Sequence, residues 1–135
     1  MAIFSGLGRY TDAGLLLMRV GLGAMMIVHG YPKLVGGPEK WAKVGRAMEN
    51  LNIDAYPTFW GFMAAAAEAF GGLLLMIGLA FRPAALLLLF TMVVAAMSHF
   101  AKGDDLLRSS HAIELGFVFL GLFFVGPGRY SIDKR

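Results

Sequence analysis

Cysteine is absent from this 135-residue chain, and charged residues make up only 16% of it. Without a thiol the chain can form no disulfide, use no thiolate nucleophile and bind no iron–sulfur cluster through cysteine. The basic residues form no block or stripe, and the formal net charge is only +3. The sequence therefore lacks the electrostatic footprint of a nucleic-acid-binding protein, and no nucleic-acid partner is predicted.

The chain is instead rich in apolar residues, which make up 58% of it, with a mean hydropathy of +0.66. A typical soluble domain is about 25% charged and about 45–50% apolar. This composition favours a membrane protein, and the chain length favours a single domain over residues 1–135.

Four long apolar runs cover about residues 13–31, 58–79, 83–100 and 110–125. A membrane-spanning helix needs about 20 residues, so the fourth run is short and depends on its flanks. Arg19 interrupts the first run and no A-x-A-like cleavage site follows, so we interpret that run as a retained helix and not a signal peptide. The sequence predicts an all-α, multi-pass membrane protein: a four-transmembrane up-down bundle with both termini on one side. The bilayer is its predicted partner and the bacterial inner membrane its expected location, whereas its orientation and oligomeric state stay open.

The longest connection, Leu34 to Pro57, has its own helical pattern. Apolar residues recur at helical spacing between Glu39 and Leu51, opposite basic residues, which is typical of a short amphipathic helix at the membrane interface. A solvated loop helix is the alternative. The apolar face consists of Trp41, Val44, Met48 and Leu51, and the basic face of Lys40, Lys43 and Arg46.

One carboxylate, Glu68, lies near the middle of the second run. Gly61, Ala65 and Gly72 share its helix face, and small residues let a neighbouring helix approach, so Glu68 should face protein. An unpaired charge in hydrocarbon costs several kcal/mol. We predict an ion pair with Arg19, reached across one to two helical turns of rise. That pair is either a device that sets helix register or part of a functional site.

The remaining polar membrane residues fall on the side of the longer loops. His29 ends the first helix, and His111 and Glu114 open the fourth, three residues apart and so on one face. Such a pair can bind a metal in a helix bundle or act as an acid–base group. The histidines and carboxylates lack a tight ligand spacing, so no metal is predicted, and whether one binds at His111 and Glu114 stays open. We predict a one-sided ligand pocket of His29, Glu68, His111 and Glu114, and interpret His99 as an interfacial residue near a helix end.

The order of several short motifs resembles the DoxX family of small four-helix membrane proteins. Arg19 lies ten residues before His29-Gly30, with Lys33 after it, and Glu68 begins the pattern Glu-x-x-Gly-Gly with Gly78 beyond. The turn Arg82-Pro83-Ala84 and the closing stretch Gly126-Pro127-Gly128-Arg129-Tyr130-Ser131-x-Asp133 complete a resemblance that extends from about Leu15 to Asp133.

This resemblance implies a function. Members of the family are similar to the large membrane subunit of thiosulfate:quinone oxidoreductase, and others are linked to oxidative or sulfur stress. It implies a quinone-linked component of an oxidoreductase system with a soluble or membrane redox partner, in which His29 and His111 hold the quinone carbonyls and Glu68 and Glu114 handle protons. Relatives without redox chemistry imply a rival: a non-catalytic binding, assembly or chaperone-like protein whose Arg19–Glu68 pair is structural. The sequence does not decide whether the protein is an enzyme.

Overall fold

The computed structural model describes residues 3–133, and most of them are helical. Within that range four helices are long and apolar enough to cross a membrane, as the sequence predicts. One further short α-helix and two 3₁₀ helices, Ser5–Tyr10 and Arg46–Leu51, complete the helices of the described residues. The α-helices are α1 (Thr11–Val35), α2 (Pro38–Gly45), α3 (Pro57–Ile77), α4 (Phe81–Ala101) and α5 (Leu106–Val125).

Helix α1 continues four residues beyond its predicted end at Tyr31, with Pro32 inside it. A proline disfavours helical geometry in the residue before it, which is why the sequence suggested an earlier end. The last turn persists because a neighbouring side chain satisfies its terminal carbonyls. The Trp41 indole N–H in α2 lies 3.0 Å from the Lys33 carbonyl oxygen and 3.1 Å from that of Leu34.

The turn between α3 and α4 also differs from the prediction. The predicted second and third runs leave residues 80–82 between them as the turn, but α4 already begins at Phe81 and the chain reverses at Gly78 to Ala80. Gly78 ends α3 with a φ of 71°, a left-handed conformation that glycine adopts without strain. The first amides of α4 are capped from far along the chain. The Asp133 carboxylate accepts from the Ala80 N–H at 3.1 Å and from the Phe81 N–H at 2.7 Å.

The amphipathic connection folds as predicted. Its apolar residues turn inward and Met48 is buried, while Lys40, Lys43 and Arg46 are exposed. Helix α2 packs against the start of α3 at two glycines, Gly45 and Gly61. A Cβ on Gly61 would collide with the Trp41 carbonyl group, so the backbones touch directly. The connection is therefore a packed part of the bundle.

Glycines also set the register between the antiparallel helices α1 and α3. A Cβ added to Gly23 would collide with the Gly72 carbonyl oxygen, and one added to Gly30 would lie 2.6 Å from the Ala69 amide nitrogen. The predicted small-residue face of α3 is therefore a helix-packing surface. Helix α4 packs on α3 and α5 packs on α4, whereas no Cα atoms of α1 and α5 come within 8 Å of each other in the described chain.

Candidate functional site

A cavity of about 440 Å³ lies between α3, α4 and the connection that crosses above them. Short side chains make the room for it on α3, where Ala64 and Ala67 line the wall. Met48 of the connection and Phe90 and Val94 of α4 close other parts of the wall. The lining is thus largely apolar, as in most small-molecule sites.

One end of this cavity carries an ion pair between Lys33 and Glu68. The Lys33 ammonium nitrogen lies 2.9 Å from a Glu68 carboxylate oxygen, and the two side chains are 35% and 6% exposed. Both residues line the cavity. Lys33 reaches it because α1 continues past Pro32, and α1 lies close to Glu68 because Gly30 has no side chain. An ammonium has three N–H donors, so Lys33 can donate to a ligand as well as to Glu68.

The predicted ion pair between Arg19 and Glu68 is wrong. Arg19 is 1% exposed, and its guanidinium donates to the carbonyl oxygens of Pro127 at 3.2 Å and Tyr130 at 2.6 Å. The register of α1 against α3 is the reason. Gly30 packs at the level of Glu68, and Arg19 lies eleven residues earlier, which is about 16 Å of helical rise. Arg19 therefore reaches the end of α3 beside Gly78 and the C-terminal segment.

That C-terminal segment, residues 126–133, folds back onto the ends of the helices. The Ile132 amide donates to the Ile77 carbonyl oxygen at 3.2 Å, and the Arg129 amide donates to the Asp12 carboxylate at 3.1 Å. Together with the Asp133 cap of α4, these bonds tie the segment to α1, α3 and α4. The closing motif of the sequence is thus a structural clasp, and Arg19 is the buried group that holds its carbonyls.

The predicted histidines lie elsewhere on the loop side. The rings of His29 and His111 have centroids 5.6 Å apart and are tilted by 58°, so the structure brings these two residues together across α1 and α5. Both are exposed, as is Glu114. None of these three residues lines the cavity beside Glu68, so the predicted site is divided into two places.

His99 interacts with its own helix end. Its Nδ1 lies 2.8 Å from an Asp104 carboxylate oxygen, and this hydrogen bond holds the pKa of the Asp104 carboxyl below its usual range. His99 thus fastens the loop after α4, in keeping with its interpretation as an interfacial residue. Within residues 3–133, no three histidine or carboxylate side chains gather into a group that could hold a metal ion.

Lys33 is the site residue that reasoning from charges did not find, although the family pattern includes it. Its signal in the sequence is its place four residues after His29, one helical turn further along α1 on the loop side. Pro32 concealed that signal, because an end of the helix at Tyr31 would have removed Lys33 from the bundle. The connection that roofs the cavity could not be found from a pattern either, since its contacts with α4 join distant parts of the chain.

The fold and the cavity define a multi-pass membrane protein with four spanning helices and an ion pair beside an apolar cavity. Residues 14–101 match the family model named DoxX, and the chain belongs to the DoxX family. It is similar to two Escherichia coli (strain K12) proteins. It is 31% identical over 129 residues to inner membrane protein YqjF, covering 93% of this chain and 94% of the relative, and 28% identical over 144 aligned positions to inner membrane protein YphA, covering 94% and 97%. No solved structure matches the chain.

Proposed function

We propose that this DoxX-family protein is an inner-membrane component that binds a quinone-like lipophilic ligand in the cavity beside Lys33 and Glu68. Both relatives are named inner membrane proteins, which supports the location. Their names state no activity, and it is the cavity that supports a ligand.

The observation that carries the proposal is the combination of cavity volume, lining and position. About 440 Å³ falls within the range of about 300–1,000 Å³ of small-molecule pockets. Three lining residues on α3 and α4, Phe70, Leu87 and Phe90, are exposed on the outer surface of the bundle. In a bilayer that surface contacts lipid. A lipophilic molecule could therefore enter sideways from the membrane, with its tail towards the lipid and its polar head towards Lys33.

The residues present fit the head group of a quinone. A quinone carbonyl needs a hydrogen-bond donor, and the Lys33 ammonium has donors left after its bond to Glu68. The Glu68 carboxylate accepts a proton or a hydroxyl hydrogen bond at the same end of the cavity. Trp60 and Phe90, which line it, offer aromatic surface to a planar ring. A bound quinone supplies two-electron, two-proton redox capacity. The electrons would come from a soluble or membrane redox partner.

The rival function is a non-catalytic assembly or binding protein. The observation in its favour is that the deeply buried Arg19 is engaged in holding the C-terminal segment. If Lys33 and Glu68 serve only to join α1 to α3 in the same way, the cavity has no ligand of its own. Saturable binding of a quinone to the purified protein distinguishes the two functions.

The test is titration of the purified full-length protein in mild detergent with decylubiquinone, followed by tryptophan fluorescence. The chain has two tryptophans, and Trp60 lines the cavity, so a bound quinone should quench its emission. Ala64→Phe fills the cavity and should abolish saturable quenching. Lys33→Met combined with Glu68→Gln removes both charges without stranding either, and should weaken binding about 10- to 100-fold, as expected for a lost hydrogen bond from a charged donor.

The matched control is His29→Phe combined with His111→Phe, which leaves the cavity lining intact and should keep the parent affinity. If that variant loses binding while Ala64→Phe keeps it, the ligand lies at the histidines, where the sequence pattern suggested. If the parent shows no saturable quenching, the quinone proposal fails and the assembly function takes its place.

A further inference from the structure

A second candidate site, independent of the cavity, lies between His29 near the end of α1 and His111 near the start of α5. The two imidazoles come from helices whose Cα atoms stay more than 8 Å apart, yet their ring centroids are only 5.6 Å apart. Both side chains are exposed on the loop side. Neither makes a hydrogen bond to another described residue, so their ring nitrogens are free to bind something else.

The separation of the rings is compatible with two imidazoles sharing one metal ion. With a metal–nitrogen distance of about 2.0–2.1 Å and ring nitrogens about 1.1 Å from the ring centre, each centre lies about 3.2 Å from the metal. Two such ligands at a tetrahedral angle have ring centres about 5.2 Å apart. The observed 5.6 Å differs by a few tenths of an ångström, and both side chains are exposed, so they can rotate to bring a nitrogen of each ring to the ion.

We propose that a divalent transition-metal ion of the Zn²⁺, Ni²⁺ or Cu²⁺ class binds between His29 and His111. Neutral imidazole is a ligand that suits these ions. Since no third histidine or carboxylate of the described chain joins the pair, water occupies the other coordination positions. Metal bound at such a site exchanges with the solvent, so the occupancy of the site follows the free metal concentration.

The structural consequence is a link between α1 and α5. Elsewhere these helices are joined through α3 and α4 and through the C-terminal clasp, which lies on the opposite, terminal side. A metal ion on the loop side closes the bundle where its first and last helices otherwise meet only through side chains. Binding to the folded state alone raises stability by mass action, so the melting temperature should rise with metal concentration.

The experiment uses full-length protein purified without a polyhistidine tag and treated with chelator to remove metal. Zn²⁺ is titrated by calorimetry, and Cu²⁺ is examined by electron paramagnetic resonance, where imidazole nitrogens give a characteristic hyperfine pattern. We expect one Zn²⁺ per chain, a higher melting temperature with Zn²⁺, and two coupled nitrogens on Cu²⁺. His29→Gln and His111→Gln should each weaken Zn²⁺ binding at least about tenfold, since even the outer partners of a metal site contribute about 10- to 100-fold.

His99→Gln is the matched control, because His99 lies on the same side but is bonded to Asp104; it should keep parent affinity. Glu114→Gln should also leave the affinity unchanged. His29 and His111 are exposed, so both glutamine variants should fold, and their melting temperatures without metal will verify this. If His29→Gln has a lower melting temperature than the parent, His29→Phe replaces it. The proposal is wrong if Zn²⁺ binding survives the loss of either histidine. It is also wrong if the parent protein binds no Zn²⁺ at about 100 µM, roughly the dissociation constant of a weak two-ligand site. Neither result bears on quinone binding in the cavity.

Discussion

The choice of Lys33 over Arg19 as the partner of Glu68 makes a quantitative prediction. In a double-mutant cycle, Lys33→Met and Glu68→Gln should be coupled, whereas Arg19→Met and Glu68→Gln should be additive. The two cycles share one variant, so they compare the competing pairings within the same protein.

The magnitude follows from the burial of the two side chains. Breaking a fully buried ion pair costs about 3–5 kcal/mol, because the remaining charge is left without a partner. Glu68 is nearly buried, but Lys33 is 35% exposed, so water screens the charge and reduces the effect. We therefore expect a coupling of about 1.5–3 kcal/mol, the range of a hydrogen bond to a charged group. Arg19 and Glu68 lie about 16 Å apart along the helix pair, and distant sites couple by less than about 0.5 kcal/mol.

The assay is reversible unfolding in mixed micelles, in which the mole fraction of a denaturing detergent is raised and helicity or tryptophan emission is followed. The free energy of unfolding is measured for the parent, the three single variants and the two double variants. A coupling near zero for Lys33 and Glu68, or one above about 1 kcal/mol for Arg19 and Glu68, would show that the assigned pairing is wrong.

Two further predictions concern packing and capping. Gly61→Ala should lower the free energy of unfolding by several kcal/mol, because the added Cβ meets the backbone of α2. The control is Gly121→Ala, which has open space around it and should be neutral or slightly stabilising because alanine favours helix. Equal stabilities of the two variants in the same micelle assay would contradict the direct contact between α2 and α3. Asp133→Ala removes the acceptor for the first amides of α4 and should cost about 1–2 kcal/mol, as the loss of other N-terminal caps does. The control is Asp54→Ala, at an exposed loop position. If Asp133→Ala lowers the free energy of unfolding no more than this control does, Asp133 does not stabilise the start of α4.

The sequence by itself determined the parts of this protein that depend on local composition. The bilayer thickness sets the length of a spanning helix, so four apolar runs of roughly that length predict four spans. The alternation of apolar and basic residues after Gly37 likewise predicts the short amphipathic helix, and the run of small residues around Glu68 predicts a surface for close helix packing. Each of these inferences needs only neighbours within a few turns of one helix.

Only the tertiary structure decided which residues meet. The partner of Glu68 depends on how far α1 slides along α3, and contacts at Gly23 and Gly30 set that register. Arg19 lies eleven residues before Gly30, which packs at the level of Glu68, and no charge pattern in the sequence shows this. The cavity arises in the same way, because it is the space left where the connection crosses α3 and α4. Contacts between distant segments create it, so its shape is a property of the packed bundle.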